Sequence, residues 1–204
     1  LFNGMIQPVA PFAKRGVIWY QGESNAGRHD SYDALMRGLI EDWRSLWDQP
    51  GAHRDFPFLT VQLANFRKAV EDPNEVGWGA VRQAQFLTAA NHPNTWLATA
   101  VDIGEADDIH PANKQEVGRR LALIALRRVY GREGIADHGP TLADAVPASP
   151  DAYGHDRMRV VFDHAGGLTT ADGRPPRGVA VRSAAGGRWR WAVNAQIEGE
   201  HLLV

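Results

Sequence analysis

The chain has 204 residues, a length that predicts one sizeable domain or one and a fraction. Hydrophobic residues make up 44% and charged residues 23%, which excludes a chain disordered throughout and supplies apolar surface for a packed core. Twenty-two Lys and Arg against 24 Asp and Glu leave a formal charge of -2, with no basic run longer than Lys14 and Arg15, which argues against a dedicated nucleic-acid binder. No stretch approaches the roughly 18 to 20 uncharged apolar residues of a membrane span, and residues 1–15 do not read as a secretory signal. The absence of cysteine removes disulfides, thiolate nucleophiles and zinc-thiolate sites without fixing the compartment. Residue 1 is Leu and the sequence stops in a segment of strand character, so the chain is read as part of a longer protein.

Residues 16–20 (GVIWY) form a continuous apolar run ahead of a turn-like QGESN, the pattern of a buried parallel strand. Apolar residues at Tyr32, Leu35, Met36, Leu39, Ile40, Trp43, Leu46 and Trp47 then trace one helix face over 30–47, with Asp30 or Ser31 as cap. The alternation continues with strands at 58–63 and 95–101 and helices at 79–90 and 113–130, the last ending before Gly131. Strands alternating with helices predict an α/β fold, a parallel sheet flanked by helices, over residues 1–134. After Gly134 the composition changes. Residues 139–150 hold three prolines and no helical period, and short strands follow at 158–162, 178–182, 188–193 and 201–204. GG, DG, PP and GG turn signals separate them. Residues 135–204 are therefore read as an accessory, antiparallel β region that is incomplete.

Three stretches place polar residues at the carboxyl ends of predicted strands, where open α/β sheets bind ligands. The first is Gln21, Gly22, Glu23, Ser24 and Asn25. Gly22 permits a sharp turn, and the same residue types equally form an ordinary strand-to-helix turn. The second is VDIGEADDIHP, which holds Asp102, Glu105, Asp107, Asp108 and His110. A carboxylate three residues before a histidine can orient the imidazole for general-base work. A hard-cation site and a solvated acidic loop are the competing readings. The third is Gln62, Leu63, Ala64 and Asn65, whose amides can bind a substrate or tie down a loop. His164, in FDHAGG, is a further histidine of interest. No GxGxxG, phosphate loop or HExxH occurs, which lowers nucleotide and zinc-protease readings.

The runs NGMIQPVAPFAKRGVIWYQGESN, PFLTVQLANF, VRQAQ and DDIHPANKQEVGRRLALIAL resemble the sialate O-acetylesterase family of SGNH-type serine esterases. FDHAGGLTTADG and RWRWAVNAQIEG are similar to the accessory β region that follows the catalytic domain there. The resemblance implies a hydrolase that removes acetyl groups from sialic acid or other acetylated sugars, without a cofactor or a metal, in a periplasmic or secreted bacterial setting. It makes His110 the general base, oriented by Asp107, Glu23 or Asp108. It assigns Gln21 and Gly22 to the oxyanion hole and sets Arg82 and Gln85, an RxxQ pair, near the pocket.

The family's nucleophilic serine lies in a GQSN block upstream of the segment that matches Leu1, and no GQSN occurs here. A histidine and oxyanion donors cannot run the covalent route alone. Ser24, in GESN, matches a non-nucleophilic position and lacks the second glycine of a nucleophile elbow. The serine, and with it a sheet strand, is therefore expected in a missing N-terminal segment, without which apolar edges are exposed. Trp19, Trp43, Trp47, Trp78 and Trp96 could stack on sugars, although Trp43 and Trp47 fall on a helix's apolar face. Two rival readings are a non-catalytic carbohydrate-binding or scaffold protein of the same fold and a metal-dependent hydrolase that uses residues 102–110.

Overall fold

The computed structural model describes residues 1–47, 55–74 and 77–204. Two compact units form, Leu1–Lys68 with Val76–His138 and Ala69–Glu75 with Gly139–Val204. In the first, Val17–Tyr20 (β1), Phe58–Val61 (β2) and Thr95–Ala98 (β3) make a parallel sheet in the order β1-β2-β3. Val17 lies level with Phe58 and Thr95, and Tyr20 with Val61 and Ala98. The three strands thus end together, and the loops that follow them share one edge of the sheet.

Every residue of β2 is buried, as a central strand covered on both faces requires. Its side chains alternate between two cores. Phe58 joins Tyr32, Met36 and Ile40 of Tyr32–Leu46 (α1) and Val81 of Trp78–Asn91 (α2). Leu59 and Val61 join Val117, Leu121 and Ile124 of Lys114–Ile124 (α3). β1 differs from the sequence expectation of a buried strand: it borders the sheet, and Ile18 is 64% exposed. Its apolar run has a partner strand on one side only among the described residues.

α1 follows its predicted stripe except at Leu35, which is 59% exposed, and Trp43 and Trp47 are structural. The Trp43 ring lies 5.6 Å from Trp19 and 5.7 Å from Trp47, centre to centre. Ser31 occupies the cap position without a capping bond to the helix; its hydroxyl donates to the Arg28 carbonyl instead. Arg44, which the apolar stripe gives no reason to expect inside, is buried. It donates to the carbonyls of Phe56 (3.0 Å), Pro93 (2.9 Å) and Asn94 (3.2 Å), tying together the chain entering β2 and β3. α3 begins with Asn113 accepting from the Glu116 amide at 3.2 Å. It loosens into a π turn at Ala125–Val129 and stops at Gly131, whose φ of 65° suits a residue without a Cβ.

Lys14 places its Nζ 3.5 Å from the centre of the Trp47 ring and 3.7 Å from that of Phe56. The amine is buried without a hydrogen-bond partner, and desolvation lowers its pKa to about 8. The unfolded chain, with lysine near ~10.4, therefore binds more protons between those values, and stability rises as pH climbs from about 8 to about 10.5. Lys14→Met is expected to raise stability at pH 7 and to flatten that rise. Urea melts of both proteins at pH 7 and pH 9.5 check this, and parallel pH dependences would oppose it.

The second unit contains Thr141–Ala148 (β4), Arg157–Asp163 (β5), Ala180–Val181 (β6), Arg190–Trp191 (β7), Gln196–Glu198 (β8) and His201–Leu203 (β9). They form one antiparallel sheet in the order β4-β5-β9-β8 and a two-stranded ribbon of β6 and β7. β4, absent from the sequence reading because of Pro147 within it and Pro140 and Pro150 beside it, is a border strand with an irregularity between Leu142 and Asp144. Proline is tolerated at such positions, where a missing N–H breaks no central ladder. His164 adopts φ 58° in the turn after β5. Residues 69–74, between β2 and α2 in sequence, belong to this unit through an Asp72–Arg188 ion pair and a bond from Trp191 Nε1 to the Glu71 carbonyl at 2.8 Å. No helix of the described residues is long and apolar enough to cross a membrane.

Candidate functional site

The loops after β1, β2 and β3 carry the residues singled out in the sequence, and buried amides join them. Gln85, 2% exposed on α2, is the main connector. Its Oε1 accepts from the Leu63 amide at 3.0 Å and its Nε2 donates to the Gln21 carbonyl at 3.0 Å. The Tyr32 hydroxyl donates to the same carbonyl at 2.9 Å. Burial, with the negative charge of Glu23 adding to it, pushes the Tyr32 phenol up, so it remains a hydroxyl donor. Gly22 turns the chain at φ 149°, and a Cβ there would meet Val81 Cγ1 and Gln85 Nε2, each at 3.1 Å. Only glycine lets the first loop lie this close to α2.

Arg82 lies one helical turn before Gln85 on the same helix. It donates through Nε to the Leu63 carbonyl and through a terminal nitrogen to the Ala64 carbonyl, both at 2.8 Å. Trp78 Nε1 adds a third bond, also to Ala64, at 2.8 Å. Arg82 and Gln85 thus hold the loop after β2 by its main chain. That loop is tied onward to the third: Asn65 Oδ1 accepts from the Gly104 amide at 2.6 Å, and the Arg67 amide donates to the Ala106 carbonyl at 2.9 Å. A Cβ on Gly104 would sit 2.1 Å from the Asn65 carbonyl oxygen. The glycine of VDIGE is fixed by this contact.

In the third loop the carboxylates separate into different duties. Asp102 forms a two-pronged pair with Arg120, at 2.6 and 2.7 Å. Glu105 Oε1 accepts from the Ala112 amide at 2.8 Å. Asp108 Oδ1 accepts from the His110 amide at 2.7 Å and lies 3.9 Å from His110 Nδ1. This is an Asx turn, which competes well in such short loops. No hydrogen bond or ion pair joins Asp107 or Glu23 to His110 among the described residues. The DxxH spacing favoured Asp107; the turn instead presents Asp108 as the carboxylate closest to the imidazole, whose side chain is 88% exposed. Gln21 Nε2 donates to Asn25 Oδ1 at 2.8 Å, closing the first loop over itself. Ser24 is exposed on the 3-10 segment Glu23–Ser31. Among the described residues, no group of three or more His, Cys, Asp or Glu converges as metal ligands, because Asp102, Glu105 and Asp108 are drawn to different partners.

Residues 1–127 match the family model described as a carbohydrate esterase, sialic acid-specific acetylesterase. The chain belongs to this acetylesterase family. It is 36% identical over 151 residues to the human sialate O-acetylesterase, a match over 69% of this chain and 29% of that protein. The mouse sialate O-acetylesterase is 37% identical over 153 residues, covering 69% of this chain and 28% of the relative. A solved structure of a carbohydrate acetylesterase from Xanthomonas citri superposes with a TM-score of 0.82 at 33% identity, over 99% of this chain and 44% of that one. The chain therefore spans under a third of the curated relatives' length. The acetylesterase match contains all three loops, and the α/β architecture with its separate antiparallel sheets agrees with the fold expected from the sequence.

Asp102 gives a test of which acids are structural. Hydrogen bonds from Arg120 hold its carboxyl below the usual range. A lowered carboxylate pKa contributes stability above the unfolded value of ~3.9 and loses it as pH falls through the folded value. Asp102 is 56% exposed, so Asp102→Asn is expected to cost less than ~1 kcal/mol at pH 7 and nothing in acid where both states are protonated. Urea melts at pH 7 and at pH 3, below the unfolded value, measure the difference; a cost at pH 3 no smaller than at pH 7 would contradict it.

Proposed function

We propose that this chain forms the histidine-bearing part of an esterase that removes O-acetyl groups from sialic acid or another acetylated sugar. The nucleophilic serine comes from outside these 204 residues. Its hydroxyl oxygen attacks the acetyl carbonyl while His110 takes the proton. The proton returns to the sugar oxygen as the ester C–O bond breaks, leaving an acetyl-enzyme that water hydrolyses by the same route. The loop of Gln21 and Gly22 supplies donors to the oxyanion of each tetrahedral intermediate. Arg82 and Gln85 act by positioning, since their polar atoms are engaged with the main chain of the neighbouring loops. One of Asp107, Glu23 and Asp108 orients the imidazole.

The observation that carries this reading is the family match over residues 1–127, which includes WYQGESN and DIHP. The parallel register supports it by bringing both blocks to one edge of the sheet. Acetate release from O-acetylated sialic acid and from acetylated xylo-oligosaccharides, by the full-length protein that contains this chain, tests it. Turnover of either supports the esterase and ranks the substrates. A folded full-length protein that binds these sugars without releasing acetate is the result expected of a non-catalytic carbohydrate-binding protein.

A further inference from the structure

The second compact unit carries an aromatic and basic face built from none of the candidate site residues. β6 and β7 pair with Ala180 opposite Trp191 and Val181 opposite Arg190. The next step of that register sets Arg182 across from Trp189, and the Arg182 guanidinium lies 4.6 Å from the centre of the Trp189 ring. Because side chains alternate along a strand, Arg182, Trp189, Ala180 and Trp191 share one face of the ribbon. Both tryptophans are 40% exposed, and Ala180 is too small to cover Trp191 from across the pair.

The Trp191 ring and the Trp189 main chain are held in place before any ligand arrives. Trp191 Nε1 donates to the Glu71 carbonyl at 2.8 Å. Asn74 exchanges two hydrogen bonds with the main chain of Trp189, at 2.9 and 3.0 Å. Beside Trp191 lies a cavity of about 240 Å³ bordered by Pro175, Pro176 and Gly178. Residues 178–193 contain Arg182, Arg188 and Arg190 and no acid, in a chain of net charge -2. Arg188 is paired with Asp72, whereas Arg182 and Arg190 have no carboxylate partner among the described residues.

We propose that this face binds a pyranose bearing a carboxylate, with the sugar's C–H face on Trp191 and the carboxylate on Arg182. The negative face of the indole attracts polarised C–H groups, and guanidinium matches carboxylate in a two-pronged geometry. A Trp191 ring already fixed by the Glu71 carbonyl loses little freedom on binding. A nucleic acid would need a basic track longer than two unpaired arginines. The proposal takes from the acetylesterase reading only the choice of an acidic sugar, and His110 has no part in it.

Two-dimensional NMR of the tryptophan indole N–H groups, with N-acetylneuraminic acid titrated into the chain, tests it. The Trp189 and Trp191 signals, assigned by substitution, should shift saturably. N-acetylglucosamine should bind at least about tenfold more weakly, and Arg182→Gln should weaken the acidic sugar by at least about tenfold without changing the dispersion of the spectrum. Absence of a saturable shift, equal binding of the neutral sugar, or indifference to Arg182→Gln overturns the proposal. So does a response of the same signals to a short oligonucleotide or an anionic vesicle but not to the acidic sugar. His110→Ala should abolish acetyl release from the full-length protein while leaving these shifts in place, which keeps the two readings separable.

Discussion

Replacing His110 by Ala in the full-length protein should lower kcat on an acetyl ester by about 10³-fold or more and leave the melting temperature unchanged. The first half follows from the base role: without the imidazole, the serine proton has no acceptor as the tetrahedral intermediate forms. The second follows from position. The His110 side chain is 88% exposed, and exposed substitutions typically move stability by less than ~0.5 kcal/mol. Activity and melting measured on the same preparation decide it. Turnover near the unsubstituted level removes His110 as the base, and an equal loss of activity and stability reassigns it to structure. Asp107→Asn, Asp108→Asn and Glu23→Gln, made singly, then identify the orienting acid as the one whose loss reproduces most of the His110 effect. Asp108 carries a complication, because its Oδ1 also bonds the His110 amide and its loss can displace the base as well as unpair it.

Gln85→Leu should destabilise the chain by about 2–4 kcal/mol, close in size to the loss of a well-packed core residue. Leucine has similar bulk, so no large cavity opens; the damage is polar. The Leu63 amide loses its acceptor inside the protein, and the Gln21 carbonyl loses one of two donors. Gly22→Ala attacks the same junction from the other side, by forcing a Cβ against Val81 and Gln85 at a φ that side chains rarely adopt. Because both act on one contact, the double variant should cost less than the two single losses added together. Urea titration of the four proteins measures this. Full additivity, or a loss under ~1 kcal/mol for Gln85→Leu, would mean that the loops after β1 and β2 are not locked through this amide.

The periodicity of α1, the strand character of β2 and the Gly131 stop were readable from sequence because each depends on local pattern. The prominence of Gln85 was readable only as half of a recurrent pair. Its work consists of bonds to residues 64 and 22 positions away, and no local rule reports such distances. Arg44 is the same case, a cation on an apolar stripe whose acceptors are carbonyls of two distant chain segments. β4 escaped because proline argues against strands in general while being harmless on a border strand. In the acidic loop, DxxH spacing ranked Asp107 first, but spacing does not specify which carboxylate the turn consumes. The Asx turn at Asp108 is a three-dimensional choice among neighbours that look alike in sequence.

The most direct measurement is labelling of the full-length protein with a serine-reactive fluorophosphonate, followed by peptide mapping, beside 4-nitrophenyl acetate turnover by the 204-residue chain and its Ser24→Ala variant. The serine–histidine account predicts one adduct, on a serine outside this chain, and no turnover by the chain alone. An adduct on Ser24, or turnover by the chain that disappears with Ser24→Ala, would contradict it and make GESN the nucleophile block.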